Sequence, residues 1–486
     1  MKTGIRTLLL AASILVISSC GGACGNQDNL RVSSIISDNM VLQQQTEVNI
    51  WGWAKEGTKV VIDCSWLDSK VRVSADRDGR WIARVRTPEA GWEPQEIKIG
   101  TPTKLNRITV GNILVGDVWL AGGQSNMEMP LKGFDGCCVK GGTDEAFHAH
   151  NYPGIRYFYT PKVQKTEVQE ECDGRWTTTE SFSDVLEWSA TAWYFARELS
   201  DALHIPIGII CCNYGGSAVE SWMPREILEQ YPDIDLTEEG LAKQIDYTRP
   251  LLMYNAMLQP VHNYTLKGYI FYQGCTNVGR PDYAKRLATM VSHWREIWGQ
   301  GDIPFYYVQI APYQYDGSGQ TEMAPYLREQ QDKARSLIPN SAMVSTIDLV
   351  PEYERHNIHP ADKKTVGQRL AWVALNKTYG FSSLCCEGPE FDHAEFRGSE
   401  VSIFLKNIHA GICRNYDIKG FEIAGADRKF YPADVVFTWQ NNSLRLTSPK
   451  VPKPVAARFA FRDFPEEVAF YGGNWLPLLP FRTDNW

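Results

Sequence analysis

The chain has 486 residues, 43% of them hydrophobic and 22% charged, a length that predicts two or three domains rather than one core and a composition that reads as globular. Its 57 acidic and 49 basic side chains give a formal charge of −8. That balance argues against nucleic acid as a partner, because phosphate binding needs a basic face. Aromatic residues make up 12%, which suits a protein that stacks sugar rings and equally suits β-sandwich cores.

Residues 1–19 read as a leader. Lys2 and Arg6 precede the apolar run Leu8 to Ile17, too short to span a bilayer and suited to a secretory segment. Without it the formal charge becomes −10, two positive charges fewer than the −8 of the whole chain. Ile17-Ser18-Ser19-Cys20 resembles a bacterial lipoprotein box, which implies an exported periplasmic or cell-surface lipoprotein anchored at Cys20. Cleavage near Ala23 is the ordinary alternative. No other apolar run is long enough to cross a membrane, so membrane contact is expected only through the lipid anchor.

A polar tether over 20–30 leads to a period-two stretch, as in Val48-Asn49-Ile50-Trp51-Gly52-Trp53, with turn signals such as Asp76-Arg77-Asp78-Gly79 between the runs. This predicts an antiparallel β-sandwich module over 31–110. From 111 to 380 apolar runs alternate with amphipathic helices: the runs before Ser125 and at Ile207, Tyr269, Phe305 and Ala342, with helices expected over 190–203, 251–264, from Asp282 as cap, over 326–337, and from Pro360 to Tyr379. Five strand-helix units imply an α/β, doubly wound parallel sheet that binds ligands at the C-terminal strand edge. An insertion over 130–188, with four glycines in its first part and Trp176 and Trp188 later, is a candidate rim of the pocket. Period two returns over 381–486, predicting a closing β segment that packs on the first.

Ten cysteines follow Cys24 when Cys20 and Cys24 are set apart, six of them in the adjacent pairs 137–138, 211–212 and 385–386. Neighbouring cysteines rarely bond each other. The absence of any C-x-x-C or H-E-x-x-H pattern gives no support for a metal, and no cofactor is expected.

The run Ile113 to Ala121 leads into Gly122-Gly123-Gln124-Ser125-Asn126-Met127-Glu128. A buried strand ending in glycines and a lone serine holds a hydroxyl at the strand tip, as a nucleophile or as an N-cap. Gly-Gln-Ser-Asn-Met-Glu closely resembles the nucleophile block of SGNH-type hydrolases, specifically the sialate O-acetylesterase family. The resemblance implies an SGNH-like three-layer sandwich flanked by the two β segments, with Ser125 as nucleophile. A serine needs a base and oxyanion donors. Of nine histidines, His359 lies in the loop after the fifth strand, at the sheet edge that carries Ser125, with Pro360 expected to start the helix behind it.

Further blocks extend the likeness over about residues 38–486. Ile358-His359-Pro360 with Asp362, Lys363 and Gly367 resembles the family's last block, but Asn357 stands where such hydrolases commonly have aspartate. Asn357, a backbone carbonyl, Glu354 or Asp348 is left as the orienting group, or a Ser-His dyad. Asn213-Tyr214-Gly215-Gly216-Ser217 resembles the glycine block; the Gly215 N–H, with Gly216 close behind, joins the Ser125 N–H as a candidate oxyanion donor. Tyr272-Gln273-Gly274-Cys275-Thr276-Asn277 resembles the Gln-Gly-Glu-x-Asn block, with Cys275 in place of glutamate and Gln273 or Asn277 as a side-chain donor. Gln124 and Arg280 are candidate substrate-binding residues.

The resemblance implies a serine esterase that removes O-acetyl groups from sialic acids, 9-O-acetyl favoured, through an acyl-enzyme. The expected partner is an O-acetylated sialoglycan or other acetylated sugar. The alternatives are an acetyl esterase on a neutral polysaccharide such as xylan and a catalytically decayed carbohydrate-binding lipoprotein. No spacing of acidic residues singles out a glycosidase pair.

Overall fold

The structure is a computed structural model and describes residues 29–315, 323–409, 411–413, 416–438 and 441–486. The leader and Cys20 lie outside the described residues.

One strand organises the chain. β1 (Lys104–Gly123) is 20 residues long, and it runs unbroken through position 110, where the sequence suggests a change of module. Its first half pairs antiparallel with the strand Gly91–Thr101, and its middle pairs parallel with Val41–Gln43. Its second half is the centre of a mixed sheet with β2 (Ile155–Tyr159), β3 (Trp176–Thr178), β4 (Ile207–Asn213), β5 (Gly268–Tyr272), β6 (Phe305–Val308) and β7 (Ser341–Val344). The order is β3-β2-β4-β1-β5-β6-β7, parallel throughout except for β3. The two halves thus belong to one 11-stranded sheet.

The near-continuous apolar sequence of β1 follows from burial on both faces. Trp119 and Ala121 point into a core shared with α2 (Ala190–Leu203) and α5 (Lys363–Lys377); Leu120 points into the core of α3 (Tyr283–Trp298) and α4 (Ala324–Leu337). Asp117, fully buried in this strand, is satisfied by neutral donors: Gln43 at 2.6 Å, Gln44 at 3.1 Å and the Tyr379 hydroxyl at 2.7 Å.

Three expectations about helices are corrected. Asp282 does not cap α3 through its side chain but accepts from Arg286 Nε at 2.9 Å. The last helix begins at Lys363, not at Pro360, where Asp362 caps it by accepting from the Thr365 N–H at 2.9 Å. The stretch 251–264 is helical over 252–261 but not as a regular α-helix: it passes through a π turn, Tyr254–Leu258, into a 3-10 turn, Gln259–Val261, where Pro260 has no N–H to donate.

The C-terminal segment forms two four-stranded antiparallel sheets around Val401, Ile403, Ile423, Leu444 and Phe459. It docks on α4, where Arg328 Nη2 donates to the Asp463 carbonyl at 2.8 Å and Arg482 pairs with Glu329 at 3.1 Å. Ten cysteines are free among the described residues, including all three adjacent pairs. No helix among them is long and apolar enough to cross a membrane.

Candidate active site

The turn that carries Ser125 exists because β1 ends where its neighbour leaves no room. Gly123 has φ +135°, and a Cβ there would lie 2.3 Å from the Tyr272 carbonyl of β5, so only glycine passes. The chain then turns through one helical turn, Ser125–Glu128. Gln124 pins this turn to β5: its N–H donates to Tyr272 O at 3.0 Å, and its side-chain oxygen accepts from the Gly274 N–H at 3.0 Å. The start of α2 holds the other side, with Ser189 Oγ donating to Met127 O at 2.5 Å and Thr191 Oγ1 to Asn126 O at 3.2 Å. Ser125 is left half-buried at the tip of the central strand.

Asn126 joins this turn to the histidine loop. Its Nδ2 donates to the Ile358 carbonyl at 3.0 Å, so the residue after Ser125 is bonded to the residue before His359. The His359 ring meets the edge of Phe134 at 5.2 Å between centroids. Among the described residues, no hydrogen bond joins its nitrogens to the Ser125 hydroxyl. Burial, reinforced by the nearby charge of Lys363, pushes the imidazole down to about 4, so the ring is a neutral acceptor over most of the pH range.

The residues considered for orienting His359 are committed elsewhere. Asn357 Oδ1 accepts from the backbone N–H of His359 at 3.0 Å and from the Cys137 thiol at 3.4 Å, which shapes the loop rather than touching the ring. Glu354 accepts from the Ala361 N–H at 3.0 Å. Asp348 forms a buried two-pronged pair with Arg369, both contacts 2.8 Å.

The glycine and glutamine blocks interlock. Gln273 Nε2 donates to Ser217 O at 3.1 Å and to Asn277 Oδ1 at 2.7 Å, and its oxygen accepts from the Tyr283 hydroxyl at 2.8 Å. Asn277 Oδ1 also accepts from the Val219 N–H at 3.0 Å, while its Nδ2 donates to Glu220 at 2.9 Å. Both side chains therefore build the glycine loop instead of offering N–H groups to an oxyanion. Gln124 is 3% exposed and holds the turn. Arg280 pairs with Asp233 at 2.5 Å and lines a cavity of about 420 Å³ whose walls include neither Ser125 nor His359. Gly215 faces Ser125: a Cβ on it would stand 3.6 Å from Ser125 Cβ. Its N–H donates to Glu128 Oε2 at 2.6 Å.

The sequence matches the family model described as carbohydrate esterase, sialic acid-specific acetylesterase, over residues 115–376, more than half of the chain and all of the blocks just described. The chain belongs to this family. It is 27% identical to the sialate O-acetylesterase of Mus musculus, with 96% of each chain covered, and 27% identical to that of Homo sapiens, covering 93% of this chain and 92% of the relative. The crystal structure of a carbohydrate acetylesterase from Xanthomonas citri superposes with a TM-score of 0.83 at 30% identity, covering 94% of this chain and all of that one.

Two features of this esterase family member, the roles of Glu128 and Lys363, escape sequence reading because they arise from contacts distant in the chain. Glu128, inside the quoted motif, takes the Gly215 N–H and pairs with Lys162 of the insertion. Lys363, 1% exposed, donates to Asn126 Oδ1 at 2.7 Å. The insertion itself walls the site: Phe134 packs on His359, Cys137 reaches Asn357, and the Lys140 N–H donates to Ala361 O at 2.9 Å. A groove of about 540 Å³, whose walls likewise include neither Ser125 nor His359 but do include Glu128 of the same turn and Phe134 against the His359 ring, opens along Tyr159, Lys162 and Arg175. Its cations are matched by acids, Lys132 with Glu187 at 2.6 Å, Arg175 with Asp184 at 3.3 Å, and Lys162 with Glu128. Cys275 is buried and its thiol is raised above the usual value by desolvation, which makes it a passive group.

Proposed function

We propose that this protein removes O-acetyl groups from sialic acids, with the 9-O-acetyl group of the glycerol side chain favoured, through an acetyl-enzyme on Ser125. The observation that carries the reading is the Asn126–Ile358 bond of 3.0 Å, which ties together the two loops that bear Ser125 and His359.

Ser125 Oγ attacks the acetyl carbonyl carbon as its proton passes to His359. The tetrahedral oxyanion takes the N–H group of Ser125 and, in competition with Glu128, that of Gly215. Collapse breaks the ester C–O bond, and His359 returns the proton to the sugar alkoxide. A water molecule then attacks the acetyl carbonyl, gives its proton to His359, and acetate leaves as Ser125 regains it. The groove of about 540 Å³ beside Glu128 and Phe134 is the place for the sugar.

A second reading, deacetylation of a neutral polysaccharide such as xylan, draws support from the matched charges of that groove, which leave Lys132, Lys162 and Arg175 already paired with acids. Acetate release from O-acetylated mucin and from acetylated xylan separates the two. The sialate reading expects turnover of mucin that is lost in Ser125→Ala. Release from xylan alone favours the second reading, and release that survives Ser125→Ala defeats both. Attachment of the exported protein to the membrane through Cys20 belongs to the same proposal; Cys20→Ser should move it from the membrane fraction to the soluble one.

A further inference from the structure

Lys363 is an unusual group to find at 1% exposure. A buried ammonium is costly unless it is paired, and the acids near it are engaged elsewhere. Asp362 accepts from the Thr365 N–H at 2.9 Å and Oγ1 at 2.8 Å, and Glu354 accepts from the Ala361 N–H at 3.0 Å. The other groups facing the ammonium are the thiols of Cys137 and Cys275, the His359 imidazole and the Tyr272 ring, whose centroid lies 5.9 Å away. Its one hydrogen-bond partner among the described residues is Asn126 Oδ1, at 2.7 Å. Asn126 spends its amide hydrogen on Ile358 O. The ammonium fixes which way that amide points, because only the oxygen can accept from Lys363 and only the nitrogen can donate to Ile358.

We propose that Lys363 is a positioning residue of this site: through Asn126 it clamps the turn that carries Ser125 to the loop that carries His359. The inference rests on Ser125 and His359 being the reacting pair, and it goes beyond that reading by assigning the part that holds them in register. A neutral side chain would serve as a mere tie. A cation does more, because its charge sits beside an imidazole that no carboxylate stabilises. It disfavours imidazolium and so keeps the ring in its neutral form down to acid pH. Burial also pushes Lys363 itself down to about 7. Loss of its proton above that value leaves an amine that still donates to Asn126 while His359 is already neutral, so the alkaline side of the rate profile stays flat on its account.

The test uses the full chain, with 4-nitrophenyl acetate as the probe and kcat, KM and the acid limb of kcat/KM as readouts. Lys363→Met should lower kcat by about 10- to 100-fold with KM little changed, since a small misplacement of the base costs that much. Its acid limb should rise, by less than the lowering that burial alone imposes on His359. Lys363→Gln, which retains a donor without the charge, should keep more of kcat but show the same rise, and Lys363→Arg should restore the limb. If Lys363→Met fails to fold, the Gln and Arg variants carry the test. Asn126→Leu combined with Lys363→Gln should lose less than the product of the single losses, as members of one chain do. Folded variants with the wild-type kcat and an unmoved acid limb would overturn the clamp while leaving the esterase reading intact. Turnover that persists in Ser125→Ala would overturn that reading and the clamp with it.

Discussion

The protonation state of His359 makes the most quantitative demand on this site. Burial and the Lys363 charge push it down to about 4, and a general base must be neutral to accept the serine proton. The sign follows: activity should be full above that value and fall only as pH drops through it. A histidine at its ordinary value of about 6.5 would be only about 9% neutral at pH 5.5, whereas one at about 4 would be about 97% neutral, a difference of about tenfold. The assay is kcat/KM for 4-nitrophenyl acetate from pH 4 to 8 at constant ionic strength, since this substrate does not titrate in the range and kcat/KM reports the free enzyme. The account expects at least nine-tenths of the plateau at pH 5.5. A midpoint near 6.5, with about a tenfold loss at pH 5.5, would refute the argument that burial and the neighbouring cation set the base.

Two substitutions probe the scaffold around it. Gly215→Ala places a methyl group 3.6 Å from Ser125 Cβ and 3.2 Å from Glu128 Oε2; kcat should fall about tenfold while the urea midpoint moves little, and an unchanged kcat would remove Gly215 from the oxyanion site. Asp348→Ala strands the Arg369 guanidinium, 4% exposed, in the core and should cost about 3–5 kcal/mol in urea unfolding; a loss under about 1 kcal/mol would show that the pair is not the structural clamp described.

Five of the seven strands and most helices of the central layer were legible because each carries a complete local signal, whereas Ile155–Tyr159 and Trp176–Thr178 fall inside the stretch read as an insertion. The apolar run ending at Ala121, the 3.6-residue face from Leu287 to Trp298 and the glycine that stops the last helix all write their structure within one turn or one strand. The extent of β1 was not legible, since nothing at position 110 distinguishes a strand that ends from one that passes into a second layer. Pro260 gave a usable signal against a regular α-helix over 251–264 that the apolar spacing obscured. At the site, the places of Ser125 and Gly215 at strand ends and of His359 in the loop between the last strand of the central layer and the last helix were legible. The partners that engage the side chains of Gln273, Asn277 and Arg280, namely Ser217, Glu220 and Asp233, were not legible because they are reached only through the fold. Glu128 and Lys363 lay in plain view inside the motifs, but a charged residue in a motif reveals its role only when its partner is known.

The central claim is that the Ser125 oxygen carries the acetyl group between ester and water. Mixing enzyme with an O-acetylated sialoside, quenching in acid within the first turnovers and mapping peptides by mass spectrometry tests it directly. One added acetyl group on the peptide containing Ser125, absent in Ser125→Ala, is the predicted result. Continued acetate release with an unmodified Ser125 peptide, or an acetyl group carried by another residue in Ser125→Ala, would contradict it.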